Sequence, residues 1–179
     1  MLKKTLLPGI TIFCLATGIA NASPYGLGLG YVVINKDPNH LHAYRASFLY
    51  EPSTWTWGHA HIFIDTSFGH WWVDNQSFYH ALNIYSIAPV LRYFFKEYPL
   101  FTPFIDLSIG PSYLSRTHIA DRNLGMHFAF QDQAGFGFAI GREKKLSISA
   151  SILHYSNGSM SSMNAGISVP LMLNVSYRF

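Results

Sequence analysis

The sequence predicts an all-β fold: an eight-stranded antiparallel β-barrel that spans a membrane. Hydrophobic residues make up 49% of the 179-residue chain and charged residues only 12%, which is few charges for a water-soluble domain. Beyond the first residues, no stretch runs to about 18 apolar residues, so membrane-spanning helices are not expected. Apolar and polar residues instead alternate along short segments, with the period of two that strands have.

The first 22 residues have the pattern of a signal peptide. Lys3 and Lys4 precede an apolar run, 10–19, and an A-x-A cleavage signal ends at Ala22. Cleavage there would leave about 157 residues, enough for one domain, and would remove the single cysteine, Cys14. We therefore expect a signal peptide at 1–22 and a barrel at 23–179. An exported barrel of this kind is typical of the outer membrane.

The alternation defines eight segments in chain order. The first six are predicted at about 24–35, 41–51, 55–71, 81–95, 103–114 and 125–140. The third is less regular, and we expect a bulge near His59. The seventh starts at Leu146, and the eighth carries an apolar row that ends on Phe179, as expected at a membrane interface. An even number of strands places both termini on the periplasmic side, so odd-numbered strands run outward.

Five of the other six segments also present an apolar row to one side. The rows are Leu27, Leu29 and Tyr31 in the first; Tyr44, Phe48 and Tyr50 in the second; Tyr85, Ile87 and Leu91 in the fourth; Ile105, Leu107 and Ile109 in the fifth; and Phe128, Phe136 and Phe138 in the sixth. In an eight-stranded barrel the opposite rows fill the interior, so the barrel is not expected to form a pore.

His154 and Ser156 continue the apolar row of the seventh segment. They should therefore stand on the lipid-facing wall, near the outer leaflet, which holds lipopolysaccharide in outer membranes. Polar groups there are unexpected unless the substrate is a lipid. Histidine can take a proton from a serine hydroxyl, although the spacing of about 7 Å along a strand requires the two side chains to lean together. Spacing alone favours the alternative, that both are plain interface residues near a loop.

Residues 154–158, which read His-Tyr-Ser-Asn-Gly, and residues 164–166, which read Asn-Ala-Gly, resemble the outer-membrane lipid A 3-O-deacylases, the PagL family. The resemblance covers most of the mature chain. It implies hydrolysis of the ester-linked acyl chain at position 3 of lipid A. By match of position, Ser156 would be the nucleophile and His154 the base, and Asn157 would help to form the oxyanion hole.

One feature of the family is missing from the sequence. The family has a glutamate that orients the histidine, at the start of the last strand. The matching residue is Ser168 when counted from His154, and Val169 when counted from the C-terminus. No Asp or Glu follows Glu143. A histidine without its orienting acid keeps some catalysis but loses much of it.

Asp132 is a candidate replacement for the missing acid. A turn centred on Glu143 would pair His154 with Asp132 across two antiparallel strands, on the same face. A carboxylate on a lipid-facing row is costly and should have a reason. The alternative is a small bulge that turns residues 131–133 inward. In that case neutral groups, such as Ser162 or Asn164, would have to support a His-Ser dyad.

The remaining polar residues are less specific. His59 and His61 could bind a metal on one strand face, but no third ligand is evident, so no metal or organic cofactor is implied. Arg116 and Arg122 either meet lipid A phosphates or are solvated loop charges. Interior or rim ion pairs are expected for Asp65, Arg92, Glu97 and Asp106.

The sequence thus predicts a lipid A deacylase of the outer membrane. The expected partners are lipopolysaccharide and the membrane itself, with a homodimer left open and no nucleic acid. The formal charge of +3 is too small to indicate nucleic acid binding and suits an anionic lipid surface. The alternative is a non-catalytic small barrel, a surface or adhesion module with a decayed site.

Overall fold

The computed structural model describes residues 23–74 and 78–179, so the predicted signal peptide lies outside the described residues. Eight long strands follow the predicted segments closely. They are β1 (Tyr25–Ile34), β2 (Leu41–Tyr50), β3 (Ala60–Val73), β4 (Ala81–Phe94), β5 (Phe101–Leu114), β6 (Phe128–Ile140), β7 (Leu146–Ser156) and β8 (Ile167–Arg178). Three two-residue strands, Thr56–Trp57, His118–Ile119 and Arg122–Asn123, lie in the connections.

The eight strands form a closed antiparallel barrel. Each strand pairs with the next along the chain, and β8 pairs with β1, so the sheet has no free edge between them. The predicted fold class is confirmed. Both described termini meet at the inner end, where Phe179 N–H donates to Tyr25 O at 3.1 Å. Residues 23–74 and 78–179 contain no helix that is long and apolar enough to cross a membrane.

The start of β3 differs from the prediction. The expected bulge near His59 is absent, and the chain makes a tight hairpin in which Thr56 pairs with His61 and Trp57 with Ala60. The turn passes through Gly58 with φ of +59°, a conformation that glycine adopts without steric strain. The alternation is therefore irregular before residue 60 because these residues form a separate short hairpin at the inner rim.

The outer half of the barrel is filled by apolar side chains. Trp71 and Tyr155 are its largest members, and their rings meet edge to face at 5.4 Å between centroids. We call this cluster the outer core. It comprises Val32, Leu41, Ala43, Trp71, Val73, Leu82, Ile84, Leu114, Ile119, Leu124, Ala129, Leu153, Tyr155, Ile167, Val169 and Met172.

The middle and inner parts of the barrel hold buried ion pairs. Arg92 donates two hydrogen bonds to Asp106, each 2.8 Å long, and its guanidinium lies 3.7 Å from the ring centroid of Phe104. Arg45 pairs with Asp65 and donates to Gln133 Oε1 at 2.7 Å. We call Arg45, Asp65, Arg92 and Asp106 the inner network. A cavity of about 50 Å³ lies among these residues, so side chains fill the interior as expected.

Candidate active site

His154 and Ser156 lie at the outer end of β7, on the face that points away from the barrel interior. Both are partly exposed, whereas Tyr155 between them is buried and donates to Gln131 Oε1 at 3.0 Å inside the barrel. The alternation along β7 therefore places the histidine and the serine on the membrane-facing wall, as the sequence predicts. In the described structure Ser156 makes no hydrogen bond with His154, and such bonds often tighten only when substrate is bound.

The His154 ring is held by Ser168. The two residues are direct partners across β7 and β8, and His154 Nδ1 lies 3.0 Å from Ser168 Oγ. When Nδ1 carries the proton and donates it to Ser168, Nε2 is left with a lone pair that can accept a proton. The sequence suggested Ser162 or Asn164 as the neutral partner of His154. Neither forms this contact, since Asn164 bonds Asn157 and Ser162 is exposed.

The register also decides between the two counts for the missing glutamate. Ser168 faces outward beside His154, whereas Val169 is only 2% exposed and packs in the outer core. The strand β8 carries an irregularity between these residues and Met172, which shifts its register against β7 by one.

Asp132 lies where the parity argument predicts it. It is the direct partner of His154 across β6 and β7, and the pairing of these two strands runs without a bulge. Its neighbours Gln131 and Gln133 both bond groups inside the barrel, so Asp132 faces outward. Among the described residues, the Asp132 carboxylate forms no hydrogen bond or ion pair with His154, whose Nδ1 contacts Ser168 instead.

Asn157 anchors the loop that follows the site. Its side-chain amide donates to Leu124 O at 3.0 Å and to Met163 O at 2.7 Å, while Asn164 Oδ1 accepts its backbone N–H at 2.9 Å. The residue is 1% exposed. Because these donors are engaged, oxyanion binding by Asn157 requires a rearrangement of the loop, and this role stays a prediction.

Gly166 allows the loop to approach the histidine. Its φ is +65°, and a Cβ atom built there would lie 3.1 Å from His154 Cε1 and 2.9 Å from Tyr155 O. A larger residue would therefore push against the ring. The backbone of the β7–β8 loop forms one wall of the imidazole site.

An apolar groove of about 640 Å³ runs along the outer wall from this site. Direct cross-strand partners form its two sides, because outward residues that face each other across neighbouring strands stand in a row. One row is Ser168, His154, Asp132 and Ile109, on β8, β7, β6 and β5. The other row is Ile152, Ala134, Leu107, Leu91 and Ile62, on β7 to β3. Within the two rows, the polar residues are Ser168, His154 and Asp132, while Ser108 and Gln133 also line the groove between the rows.

The two histidines considered as metal ligands serve other contacts. His61 Nδ1 lies 2.8 Å from Glu51 Oε1, and Arg178 pairs with the other oxygen of Glu51 at 2.9 Å. The ring of His59 packs against Tyr93. Within residues 23–74 and 78–179, no group of three or more histidine, cysteine or acidic residues could hold a metal ion.

Comparison with known proteins gives one family. The profile of the family "Lipid A 3-O-deacylase (PagL)" matches residues 42–178. The lipid A deacylase PagL of Bordetella bronchiseptica is 27% identical over 186 residues, which cover 99% of this chain and 97% of the relative. That of Pseudomonas aeruginosa is 35% identical over 82 residues, 46% of each chain.

Solved structures match the same fold. The crystal structure of the outer-membrane enzyme PagL superposes with a TM-score of 0.71 at 22% identity, covering 86% of this chain and 99% of the other. Neisserial surface protein A superposes with a TM-score of 0.54 at 13% identity, covering 89% and 100%. At these identities the structural likeness shows the fold alone.

Proposed function

Because the chain belongs to the PagL family of lipid A 3-O-deacylases, we propose that Ser156 is its nucleophile, His154 its general base and Ser168 the group that orients the histidine. The protein is an outer-membrane enzyme that removes the 3-O-linked acyl chain of lipid A. The observation that carries the proposal is the 3.0 Å contact between His154 Nδ1 and Ser168 Oγ, beside an apolar groove on the membrane-facing wall.

The reaction proceeds in two steps, transfer of the acyl chain to the serine and then hydrolysis of the acyl-serine. Ser156 Oγ attacks the carbonyl carbon of the ester while His154 Nε2 takes the hydroxyl proton. The tetrahedral intermediate collapses, the sugar 3-oxygen leaves with that proton, and an acyl-serine remains. Water then attacks the acyl-serine with the same histidine as base, which releases the fatty acid and restores the serine hydroxyl.

Asp132 supports the histidine electrostatically. It stands across the strand pair from His154 and faces the same side. As His154 gains a proton it becomes a cation, and a neighbouring carboxylate favours that charged form, more strongly where water is scarce. This role differs from that of the family's glutamate, because Ser168 already occupies Nδ1.

The groove accepts the acyl chain. A chain that starts at Ser156 and lies between the two rows crosses from β7 to β3, four strand spacings of about 4.8 Å, or about 19 Å. The walls are apolar along this path, so burial of methylene groups stabilises the bound chain. The sugar is then placed at the outer loops, where the ester bond reaches Ser156. Asn157 assists here by fixing the loop after the nucleophile.

Any homodimer should use the wall that the groove leaves free. The groove occupies β3 to β8, and a partner there would block lipid access. The remaining wall is β1 and β2, where Leu29 is 69% exposed. Cross-linking through Leu29→Cys, with Ile109→Cys in the groove as the control, would detect such a dimer. Equal cross-linking at both sites would contradict it.

The test of the catalytic assignment is lipid A mass spectrometry of cells that carry the chain or its variants. Ser156→Ala should abolish loss of the 3-O-linked chain, because the other hydroxyl beside His154, that of Ser168, contacts Nδ1 and not the proton-accepting Nε2. The variant should leave a folded barrel that still shifts on heating. The matched control is Ser162→Ala, an exposed serine of the same loop, which should deacylate normally. Persistent deacylation by the Ser156 variant would reject the assignment.

A further inference from the structure

Arg122 connects three outer loops around the site. It lies in the β5–β6 loop, and its guanidinium donates to two carbonyls of the β7–β8 loop, Gly166 O at 2.8 Å through Nε and Ala165 O through Nη2. Its Nη1 pairs with Asp37 Oδ1 of the β1–β2 loop at 3.1 Å. The side chain is about three-quarters buried, with 24% exposed. All three guanidinium nitrogens of Arg122 therefore bond other loops of the protein.

Asp37 reaches the site through its backbone. Ser168 N–H donates to Asp37 O at 2.9 Å, and Asp37 N–H donates to Ser168 O at 3.3 Å. These two bonds form an isolated bridge that extends the sheet by one residue next to β8. The Ser168 side chain thus contacts His154, and its backbone is bonded to Asp37, the ion-pair partner of Arg122.

Arg122 also restrains the other side of the His154 ring, because it bonds the carbonyl of Gly166. Gly166 packs directly on the His154 ring, with space for no additional atom. A displacement of this backbone by a fraction of an ångström would move the ring or open a gap beside it. The arginine contact to Gly166 O therefore fixes the wall against which the histidine rests.

We propose that Arg122 and Asp37 are positioning residues for His154: together they clamp the segment 165–168 so that Ser168 Oγ meets Nδ1. The proposal rests on the function assigned above to His154. A serine hydroxyl makes a weaker and less directional bond than the carboxylate of the family's glutamate. Fixing the serine backbone from two loops compensates for this weakness, because a group already held in place loses less freedom when it bonds the ring.

The test measures kcat and KM on lipid A in mixed micelles for Arg122→Gln, with and without Ser168→Ala. In the wild-type background Arg122→Gln should lower kcat about tenfold with little change in KM, because a misplaced base slows chemistry without removing substrate contacts. In the Ser168→Ala background the same change should lower kcat by less than about threefold, because the Ser168 contact has gone and only the effect through Gly166 remains. Asp37→Asn should behave in the same way, and Arg122→Lys should recover only part of the rate, because one ammonium cannot copy the planar fork.

The control is Arg142→Gln, an exposed arginine of the turn between β6 and β7, which should keep its kcat. Folding is checked for each variant by heat-dependent gel migration. Equal losses of kcat in both backgrounds would show that Arg122 only stabilises the loops, and a rise in KM alone would show that it binds substrate. Either result overturns the proposal, as does an unchanged kcat. Failure here leaves Ser156→Ala inactive, whereas failure of the proposed function leaves Ser156→Ala active, so the two are distinguishable.

Discussion

The outer and inner halves of this barrel are built on different principles. The outer half packs apolar side chains, and its polar groups, such as Asn157 and Arg122, bond the loops that surround the site. The inner half instead holds charges within the barrel, where Arg92 and Asp106 form a bidentate pair. The half that carries the chemistry is therefore stabilised by apolar packing, whereas the inner half combines two small apolar clusters with buried ion pairs. Substitutions in the inner half should therefore change mainly the free energy of unfolding, and substitutions at the site in the outer half mainly kcat.

The largest effect is expected in the inner network. Arg92→Met leaves Asp106 buried without a partner, which should destabilise the barrel by about 3–5 kcal/mol. The measurement is urea unfolding in detergent or lipid. The double variant Arg92→Met with Asp106→Leu should recover much of the loss. The deacylation rate per folded barrel should stay unchanged in both, and a large fall in that rate would break the separation between the two halves.

The next effect belongs to the outer half and concerns Ser168. Ser168→Ala removes the contact to His154 Nδ1 and should lower kcat by about ten- to a hundredfold, about 1.4–2.8 kcal/mol, with little change in unfolding. Ser168→Glu should raise kcat above wild type, since it restores the acid of the family. The matched control is Val169→Glu, which should destabilise the barrel because that side chain points into the outer core. A normal rate for Ser168→Ala would contradict the orienting role.

Asp132 should show a smaller effect on the same reaction. Asp132→Asn keeps the shape but removes the charge, so kcat should fall about tenfold through weaker stabilisation of the imidazolium. Asp121→Asn, an exposed loop acid, serves as the control. If solvent reaches the Asp132 carboxylate, added salt should screen its charge, and the difference in kcat between wild type and Asp132→Asn should become smaller. A variant with wild-type kcat would remove Asp132 from the mechanism.

The smallest effect is expected at the inner rim and depends on pH. Burial raises the pKa of Glu51, but the hydrogen bond from His61 and the charges of Arg178 and Arg92 outweigh burial, so its pKa lies below the ordinary value of 4.5. A depressed carboxyl pKa contributes stability that is present above about pH 4.5 and is lost as the pH falls through the folded pKa. The free energy of unfolding of Glu51→Gln should therefore change less with pH in this acid range than that of the wild-type protein. Glu97→Gln, at the same rim but more exposed, should retain the wild-type dependence.

Sequence reasoning reached most of the fold because the period of two survives along nearly every strand. It also placed Asp132 opposite His154, since a short turn and the parity of the rows leave few registers. It named Ser168 and Val169 as alternatives for the missing acid but did not predict the contact of Ser168 with His154. The irregularity in β8 near Pro170 interrupts the alternation that would otherwise determine the register. It could not find the link from Arg122 to Asp37, which joins residues 85 positions apart through loops whose paths the alternation does not determine.

The open groove on the outside of the barrel has a kinetic consequence. A substrate that enters from the side never leaves the leaflet, so the encounter is a two-dimensional search among neighbouring lipids. The relevant concentration is then the mole fraction of lipid A in the surface and not its amount per volume. Diluting the substrate with an inert lipid should slow turnover even when the bulk amount of lipid A is constant. The fatty acid product is released into the same leaflet, where it competes for the groove until it diffuses away.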